Sequence, residues 1–109
     1  NDWIYRHLHL MSDRMCECAR RYGENGDSVQ ERALNQMARE LLLAQSSDWA
    51  FLMTMGTAAE YSTERTKEHI SNFNALYGMI NDVSVEIAFL ERLEAKNSIF
   101  PTIDFRIYR

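Results

Sequence analysis

Apolar residues at helical spacing constrain the fold of this chain more than any other feature. Over the first 22 residues they recur at intervals of four and three, which predicts one buried face on a helix from about Asp2 to Tyr22. Gly23 follows where glycine commonly ends a helix. The stripe consists of Ile4, Leu8, Met11, Met15, Cys18 and Tyr22.

A second helix is predicted to begin at Ser28, because Ser28 and Glu31 have the spacing of a capping box. It is expected to run to about Gln45. Its apolar residues cover a wide arc, so we expect it to be the central, most buried element. They are Leu34, Met37, Ala38, Leu41, Leu42 and Ala44. The short turn from Gly23 to Asp27 implies that the first two helices are antiparallel.

Two further helices complete the prediction. A second capping box, Thr57 to Glu60, marks the start of the third. The first half of this helix is rich in charge and is expected to face water or a polar groove, whereas its second half carries the stripe Ile70, Phe73, Tyr77 and Ile80. Ser84 to Lys96 predicts a fourth, shorter helix whose inward residues are Ile87, Leu90 and Leu93. The predicted fold class is all-α, a four-helix antiparallel bundle-like domain.

The C-terminal segment Ile99 to Arg109 breaks the helical period. After Pro101, apolar and polar residues alternate, which is typical of extended backbone. A lone strand cannot satisfy its backbone hydrogen bonds. We therefore expect an extended tail that lies across the helices or docks on another domain.

Length and charge limit the possible functions. A chain of 109 residues that is 46% hydrophobic can build one compact domain, residues 1–109. The net charge of −4 is spread along the chain without a basic stripe, so nucleic acid is not an expected partner. No apolar run is long enough to span a membrane and no secretory signal is visible, which favours a cytoplasmic protein. Because the chain begins at Asn1 rather than Met, we expect a piece of a longer protein.

The cysteines and histidines do not predict a metal site. Cys16 and Cys18 are two residues apart on a helix and point in nearly opposite directions, as do His7 and His9, while His69 stands alone. Neither a metal nor another cofactor is expected. The thiols are expected to be reduced.

A polar cluster at the predicted end of the second helix carries the first functional hypothesis. Polar side chains beside a large aromatic residue must hydrogen-bond within the fold or line a wet cleft, since unpaired burial is costly. The cluster is Gln45, Ser46, Ser47, Asp48 and Trp49. In one interpretation Trp49 packs on a sugar ring and Asp48 accepts hydrogen bonds from its hydroxyls. In the other, which the residues alone favour, Ser47 or Asp48 caps a following helix and Trp49 fills the core.

Other candidate residues add little chemistry. Trp3 lies off the first stripe, free to pack on a neighbouring domain or a ligand, and domain packing is the favoured interpretation. Asp48 and Glu60 are the only candidates near the cluster for a glycosidase carboxylate pair, and we reject them because Glu60 is explained as a capping residue. No nucleophile elbow or phosphate loop is present. The chain is predicted to have no catalytic residues of its own.

Four segments, in order along the chain, carry a resemblance to a known family. They are WIYRHLH at 3–9, ALNQMARELLLAQSSDWAF at 33–51, the spaced series Gly56, Thr57, Tyr61, Arg65, His69 and Phe73, and IFPTIDFRIY at 99–108. Together they resemble the C-terminal helical domain of glycoside hydrolase family 57 1,4-α-glucan branching enzymes. Ala50 departs from the pattern, because relatives often have proline there.

The resemblance implies a function in glycogen biosynthesis. Such enzymes hold a catalytic Glu nucleophile and an Asp acid/base in an upstream incomplete (β/α) barrel, and the helical domain closes one side of the cleft. The implied reaction is retaining transglycosylation, in which a cut α-1,4-glucan chain passes through a covalent glycosyl-enzyme to a 6-hydroxyl rather than to water. The implied partners are the barrel of the same polypeptide and the α-glucan.

The resemblance also reverses the preference at the polar cluster. It implies that Gln45, Ser46, Ser47, Asp48 and Trp49 face the active cleft, and that Trp3 matches an aromatic position near the substrate. Two alternatives stay open. One is a non-catalytic helical interaction or oligomerisation module, and the other is the same domain in a related amylase or 4-α-glucanotransferase.

Overall fold

The computed structural model describes residues 2–24, 28–53, 57–82 and 84–109, with side chains described except at 2, 49–53 and 57–61. Within these ranges the chain forms four α-helices and no strand, which confirms the predicted all-α class. The helices are α1 (Asp2–Tyr22), α2 (Ser28–Met53), α3 (Thr57–Asn81) and α4 (Ile87–Lys96), followed by a short 3-10 helix, Phe105–Tyr108. None of the described helices combines the length and apolar character needed to cross a membrane.

The three long helices run up, down and up. Arg14 Nη1 donates to Asn74 Oδ1 and Arg21 Nη1 donates to Asn81 Oδ1, and both partners lie 60 residues further along the chain. A constant offset means that α1 and α3 point in the same direction. Leu8, early in α1, borders the same groove as Gln45, late in α2, so α2 is antiparallel to α1.

The core consists largely of the apolar stripes that the sequence predicts, although Leu42 and Tyr77 are only half-buried. On α1 the stripe is at most 9% exposed except for the half-buried Tyr22. Met37 and Leu41 of α2 and Phe73 of α3 are fully buried, and each such side chain contributes about 1.5–3 kcal/mol of hydrophobic stabilisation. Ile87, predicted to point inward, is 40% exposed because it is the first residue of α4.

Two helix boundaries differ from the prediction. The second helix does not end near Gln45 but continues to Met53. The fourth begins at Ile87 rather than Ser84, because Glu86 is still extended, with φ −80° and ψ 108°, and is the N-cap residue of this helix. The proposed capping box at Thr57 lies outside the described side chains.

The C-terminal tail lies across the helices. It turns at Phe100, where the Ile103 backbone N–H donates to the Phe100 carbonyl. The Asp104 carboxylate then accepts the Arg106 backbone N–H and starts the 3-10 helix, in place of the expected continuous extended segment. Phe105 is fully buried, and its backbone N–H donates to Asn35 Oδ1 at 2.9 Å. Arg106 Nε donates to the Gly23 carbonyl at 2.8 Å, which ties the tail to the end of α1.

Phe100 starts the tail in an unusual conformation. Its φ of 50° lies in the left-handed region, which costs a bulky residue about 1–3 kcal/mol. Arg39 on α2 holds the backbone there, because its guanidinium donates to the carbonyls of Ile99, Phe100 and Pro101. The surrounding structure therefore imposes this turn.

Candidate functional site

Asp48 is the most unusual residue of the predicted site. It lies on α2 with 6% of its surface exposed, and within the described part of the chain its Oδ1 atom is buried and has no hydrogen-bond partner. Removal from water disfavours the charged form, so burial raises the pKa of the Asp48 carboxyl above its ordinary value. A carboxylate in this state is poised to accept a hydrogen bond from a donor outside the described residues.

The capping interpretation of the polar cluster is wrong. Ser47 and Asp48 lie inside α2, five or more residues before its last residue, Met53, so neither can cap a following helix. The polar run does not end the helix because its side chains fall on different faces. Gln45 and Ser46 are exposed, Ser47 is half-buried and Asp48 is buried.

The structure describes the side chain of only one of the two predicted site tryptophans. The backbone of Trp49 is part of α2, and its side chain lies outside the described residues. Trp3 is half-buried on α1 and packs against the core. Its ring meets His7 edge-on with centroids 5.8 Å apart, and the Lys67 ammonium lies 5.7 Å from its centroid. Trp3 therefore joins α1 to α3.

The residues predicted to bind substrate gather at one end of the bundle. Trp3 begins α1 and Asp48 is late in α2, and antiparallel packing brings these positions together. Gln45 borders a groove of about 110 Å³ with four residues of α1, namely Tyr5, Leu8, His9 and Ser12. We call this region, formed by the start of α1, the end of α2 and the first half of α3, the Asp48 end.

The first half of α3 is only partly the solvated face that the sequence predicts. Glu64 and Lys67 are exposed and lie, with Arg65 and Glu68, along a charged groove of about 550 Å³. Ser62 and Thr66, however, are buried, and the Thr66 hydroxyl donates to the Ser62 carbonyl. Glu60, rejected as a catalytic partner of Asp48, lies outside the described side chains.

A buried polar network at the middle of α2 was missed by the sequence prediction. Glu40, fully buried, accepts hydrogen bonds on both carboxylate oxygens. Its Oε1 receives His69 Nδ1 at 2.8 Å and Asn72 Nδ2 at 3.0 Å, and its Oε2 receives Gln36 Nε2 at 2.8 Å and Asn97 Nδ2 at 3.0 Å. The network joins α2 and α3 to the residue that ends α4. It therefore fixes how three helices meet.

A sequence signal for this network did exist. Gln36 and Glu40 are four residues apart, and each is next to apolar residues that the prediction placed in the core. Polar residues four apart within an apolar arc lie on one face, so they must be buried and must find partners. Asp48, eight residues after Glu40, continues the same line.

Other reactive groups offer little chemistry in this part of the protein. The described residues include no group of three or more His, Cys, Asp or Glu side chains placed to hold a metal ion. Cys16 and Cys18 are free thiols. Burial raises the pKa of the Cys18 thiol to about 11, so it is protonated at neutral pH and a poor nucleophile.

Comparisons with known proteins agree with this arrangement. Residues 7–108 match the family described as "1,4-alpha-glucan branching enzyme, C-terminal". A 1,4-alpha-glucan branching enzyme of Thermococcus kodakarensis is 33% identical over 103 residues, covering 91% of this chain and 15% of that protein. The crystal structure of the alpha-amylase AmyC from Thermotoga maritima superposes with a TM-score of 0.91 at 48% identity, over 99% of this chain and 21% of that one.

These matches confirm the resemblance carried by the four sequence segments. The chain spans about a fifth or less of the length of either relative. The family match nevertheless covers all but the first six residues and the last one. On this basis the chain belongs to the family of C-terminal domains of 1,4-alpha-glucan branching enzymes.

Proposed function

We propose that this chain is the α-glucan cleft domain of a branching enzyme that creates α-1,6 branches by retaining transglycosylation. The catalytic carboxylates belong to an upstream barrel domain of the same polypeptide. The family match and the Thermococcus relative, whose name specifies this activity, support the proposal. The helical domain contributes binding and shelter rather than a reacting group.

The observation that carries the proposal is the buried Oδ1 atom of Asp48, which has no hydrogen-bond partner among the described residues. Leaving a buried acceptor without a donor costs about 1–3 kcal/mol. A donor from outside the described residues would remove this cost. Glucose presents several hydroxyl donors to a carboxylate. Asp48 therefore fits a residue that accepts a hydrogen bond from a glucan hydroxyl in the cleft.

The neighbouring residues suit the same ligand. Gln45 and Ser46 are exposed and Ser47 is half-buried, so they present donors and acceptors beside Asp48. Trp3 keeps part of its indole accessible, and an aromatic face packs well on the C–H surface of a sugar ring. Trp49 adds a second aromatic residue in our proposal.

An enzyme that transfers a glucan chain, rather than hydrolysing it, has a reason to place a helical domain beside its active cleft. After the glycosyl-enzyme forms, water and the acceptor 6-hydroxyl compete for the same carbon. Water is far more concentrated, so branching requires that it be excluded and that the acceptor be oriented. A rigid wall that binds acceptor hydroxyls at the Asp48 end serves both requirements.

The second candidate is that the full-length protein is an amylase or a 4-α-glucanotransferase of the same family. The match to an alpha-amylase at 48% identity favours this second candidate. It shares the cleft residues with the first and differs only in the acceptor. Linkage analysis of the products of the full-length enzyme separates them, because α-1,6 linkages appear only with branching.

A plain helical interaction module is less well supported. That hypothesis needs the polar cluster to be fully packed inside the bundle. Only Asp48 is buried among its described side chains, and Gln45 borders an open groove. The cluster is thus partly accessible, as a ligand site requires.

The test compares Asp48→Asn and Asp48→Ala with Asp13→Asn, the same chemical change at an exposed position of α1. In the full-length enzyme acting on amylose, the Asp48 variants should form α-1,6 linkages about ten- to hundredfold more slowly, the effect of losing one hydrogen bond to a charged group. Reducing ends released by hydrolysis should rise relative to transfer. Branching rates within twofold of wild type in both Asp48 variants would refute the assignment.

A further inference from the structure

An apolar groove lies between the C-terminal tail and α2. It has a volume of about 540 Å³ and is lined by Leu42, Phe100, Pro101, Thr102, Ile103, Asp104 and Ile107, and we call it the tail groove. Phe100 is 52% exposed and Ile107 is 68% exposed. Large apolar side chains exposed side by side mark an interaction surface more often than scattered ones do.

The tail groove is built rather than incidental. Phe100 adopts its left-handed φ of 50° because Arg39 donates to three consecutive carbonyls, at Ile99, Phe100 and Pro101. On the other side of the tail, the fully buried Phe105 anchors the chain. The aromatic ring of Phe100 is thus presented outward by a backbone that is fixed on both sides.

The chemistry of the groove favours an apolar partner over a sugar. Its bordering charges already have partners, since Asp104 accepts from Arg106, Arg106 pairs with Glu31 and Arg39 binds the backbone carbonyls. A glucan hydroxyl would find few groups to bind. An aliphatic or aromatic side chain would gain from leaving water.

We propose that the tail groove is the surface on which the upstream domain of the same polypeptide docks, through an apolar side chain of that domain. This inference rests on the proposed function, which supplies that domain. The chain's fold matches one fifth of a solved relative almost completely, so four fifths of such an enzyme remain to cover a face that this domain leaves open.

Position along α2 supports the same partner. Leu42 lines the groove, and the exposed Ser46 lies one helical turn later on the same face of α2, between the groove and the end of the helix that carries Asp48. The Asp48 side chain itself points to the opposite, buried face. A domain seated on the groove therefore extends toward the Asp48 end. That placement is what a catalytic domain needs if the two domains are to share one cleft.

Thiol labelling tests the coverage directly. In the full-length enzyme, Ile107→Cys is compared with Ile87→Cys, a matched exposed isoleucine on α4, and peptide mapping separates both from Cys16 and Cys18. We expect labelling at position 107 to be at least tenfold slower than at position 87. Equal rates would show that the groove is open in the whole enzyme and would overturn the proposal.

A second measurement identifies the occupant. Phe100→Asp with Ile107→Asp places charge in the groove at exposed positions, and aspartate tolerates the left-handed backbone at position 100. Compared with Ile87→Asp, the double variant should release the helical domain at least tenfold faster in limited proteolysis. An unchanged release rate would show that the upstream domain does not dock on the groove. A wild-type dimer that dissociates in the variant, without faster release of the domain, would assign the groove to a second copy of the protein and would also refute the proposal.

The outcome is independent of the Asp48 test. If the groove variants behave like Ile87→Asp while Asp48→Asn loses branching, only the docking surface is wrong. If the groove variants release the domain while both Asp48 variants keep normal branching, only the cleft assignment is wrong.

Discussion

Two buried carboxylates on α2 differ in their hydrogen-bond partners. Glu40 is fully buried, and four side chains donate hydrogen bonds to its two oxygens. Asp48 lies eight residues later, about 12 Å along the same helix, and its Oδ1 has no partner among the described residues. The first arrangement holds helices together. The second leaves binding capacity for a partner that this part of the protein does not contain.

On this one helix, Glu40 contributes to stability, whereas Asp48 is available for function. A carboxylate that is fully paired within its own fold has no capacity left for a ligand. A carboxylate with an unpaired oxygen weakens the fold, which points to a function other than stability. Substitutions at the two positions should therefore have opposite effects on the free energy of unfolding.

Glu40→Ala should produce the largest effect. Removing the acceptor takes away the partner of the buried His69 and Asn97 donors and of the half-buried Asn72 donor, whereas Gln36 keeps its bonds to the Leu93 and Asn97 carbonyls. Losing one partner of a buried charged network costs about 3–5 kcal/mol. Chemical denaturation of the chain, followed by circular dichroism, measures the loss. Glu91→Ala, at an exposed position on α4, is the control and should change stability by less than about 0.5 kcal/mol.

Glu40→Gln sharpens this prediction. The substitution keeps the shape but turns one acceptor oxygen into a donor that faces other donors, so most of the stability loss should persist. A Glu40→Gln variant as stable as wild type would mean that the network contributes packing rather than hydrogen bonds, and the contrast with Asp48 would disappear.

The different predictability of these two sites has a physical cause. Asp48 could be singled out from sequence because it adjoins a tryptophan in a segment that resembles a known family. The Glu40 network was missed because, apart from Gln36 on the same helix, its partners come from α3 and from the residue that ends α4. Pairings over 29 to 57 residues leave no local pattern.

The same reasoning applies to the fold. Apolar periodicity predicted α1 and the core stripe of α3, since the spacing of buried residues is a local property. The end of α2 was wrongly predicted because Gln45 to Asp48 reads as a polar helix end, whereas Asp48 shares the buried face with Ala44. The tail was expected to stay extended, but the Asp104 side chain captures the Arg106 N–H and turns it into a 3-10 helix.

Asp48→Asn should have the opposite effect to Glu40→Ala. Burial raises the pKa of the Asp48 carboxyl, so between the unfolded and folded pKa values the native state binds the proton more tightly. Stability then falls as pH rises through this window, which begins near the ordinary aspartate pKa of about 4. Removing the charge should therefore stabilise the chain at pH 7 by about 1 kcal/mol.

The pH dependence provides the control for that prediction. Other carboxylates titrate identically in wild type and variant, so the difference in their free energies of unfolding isolates Asp48. It should shrink as pH is lowered through the raised native-state pKa of Asp48, because the wild-type carboxyl is protonated below that pKa. A difference that is constant with pH, or equal to that of Asp13→Asn, would show that Asp48 is not strained by burial.

The smallest effect should come from a carboxylate at the surface. Glu94 on α4 accepts from Arg32 on α2 through two hydrogen bonds, at 2.6 and 3.1 Å, but the Arg32 side chain is 43% exposed. Water solvates both charges when the pair is broken, so Arg32→Ala should lower stability by only about 0.2–1 kcal/mol, and less in high salt. Denaturation at low and high ionic strength measures both. A loss comparable to that of Glu40→Ala would mean that hydrogen-bond geometry contributes more than burial to the stability of such a pair. Glu40 and Asp48 would then differ only in the number of their hydrogen-bond partners.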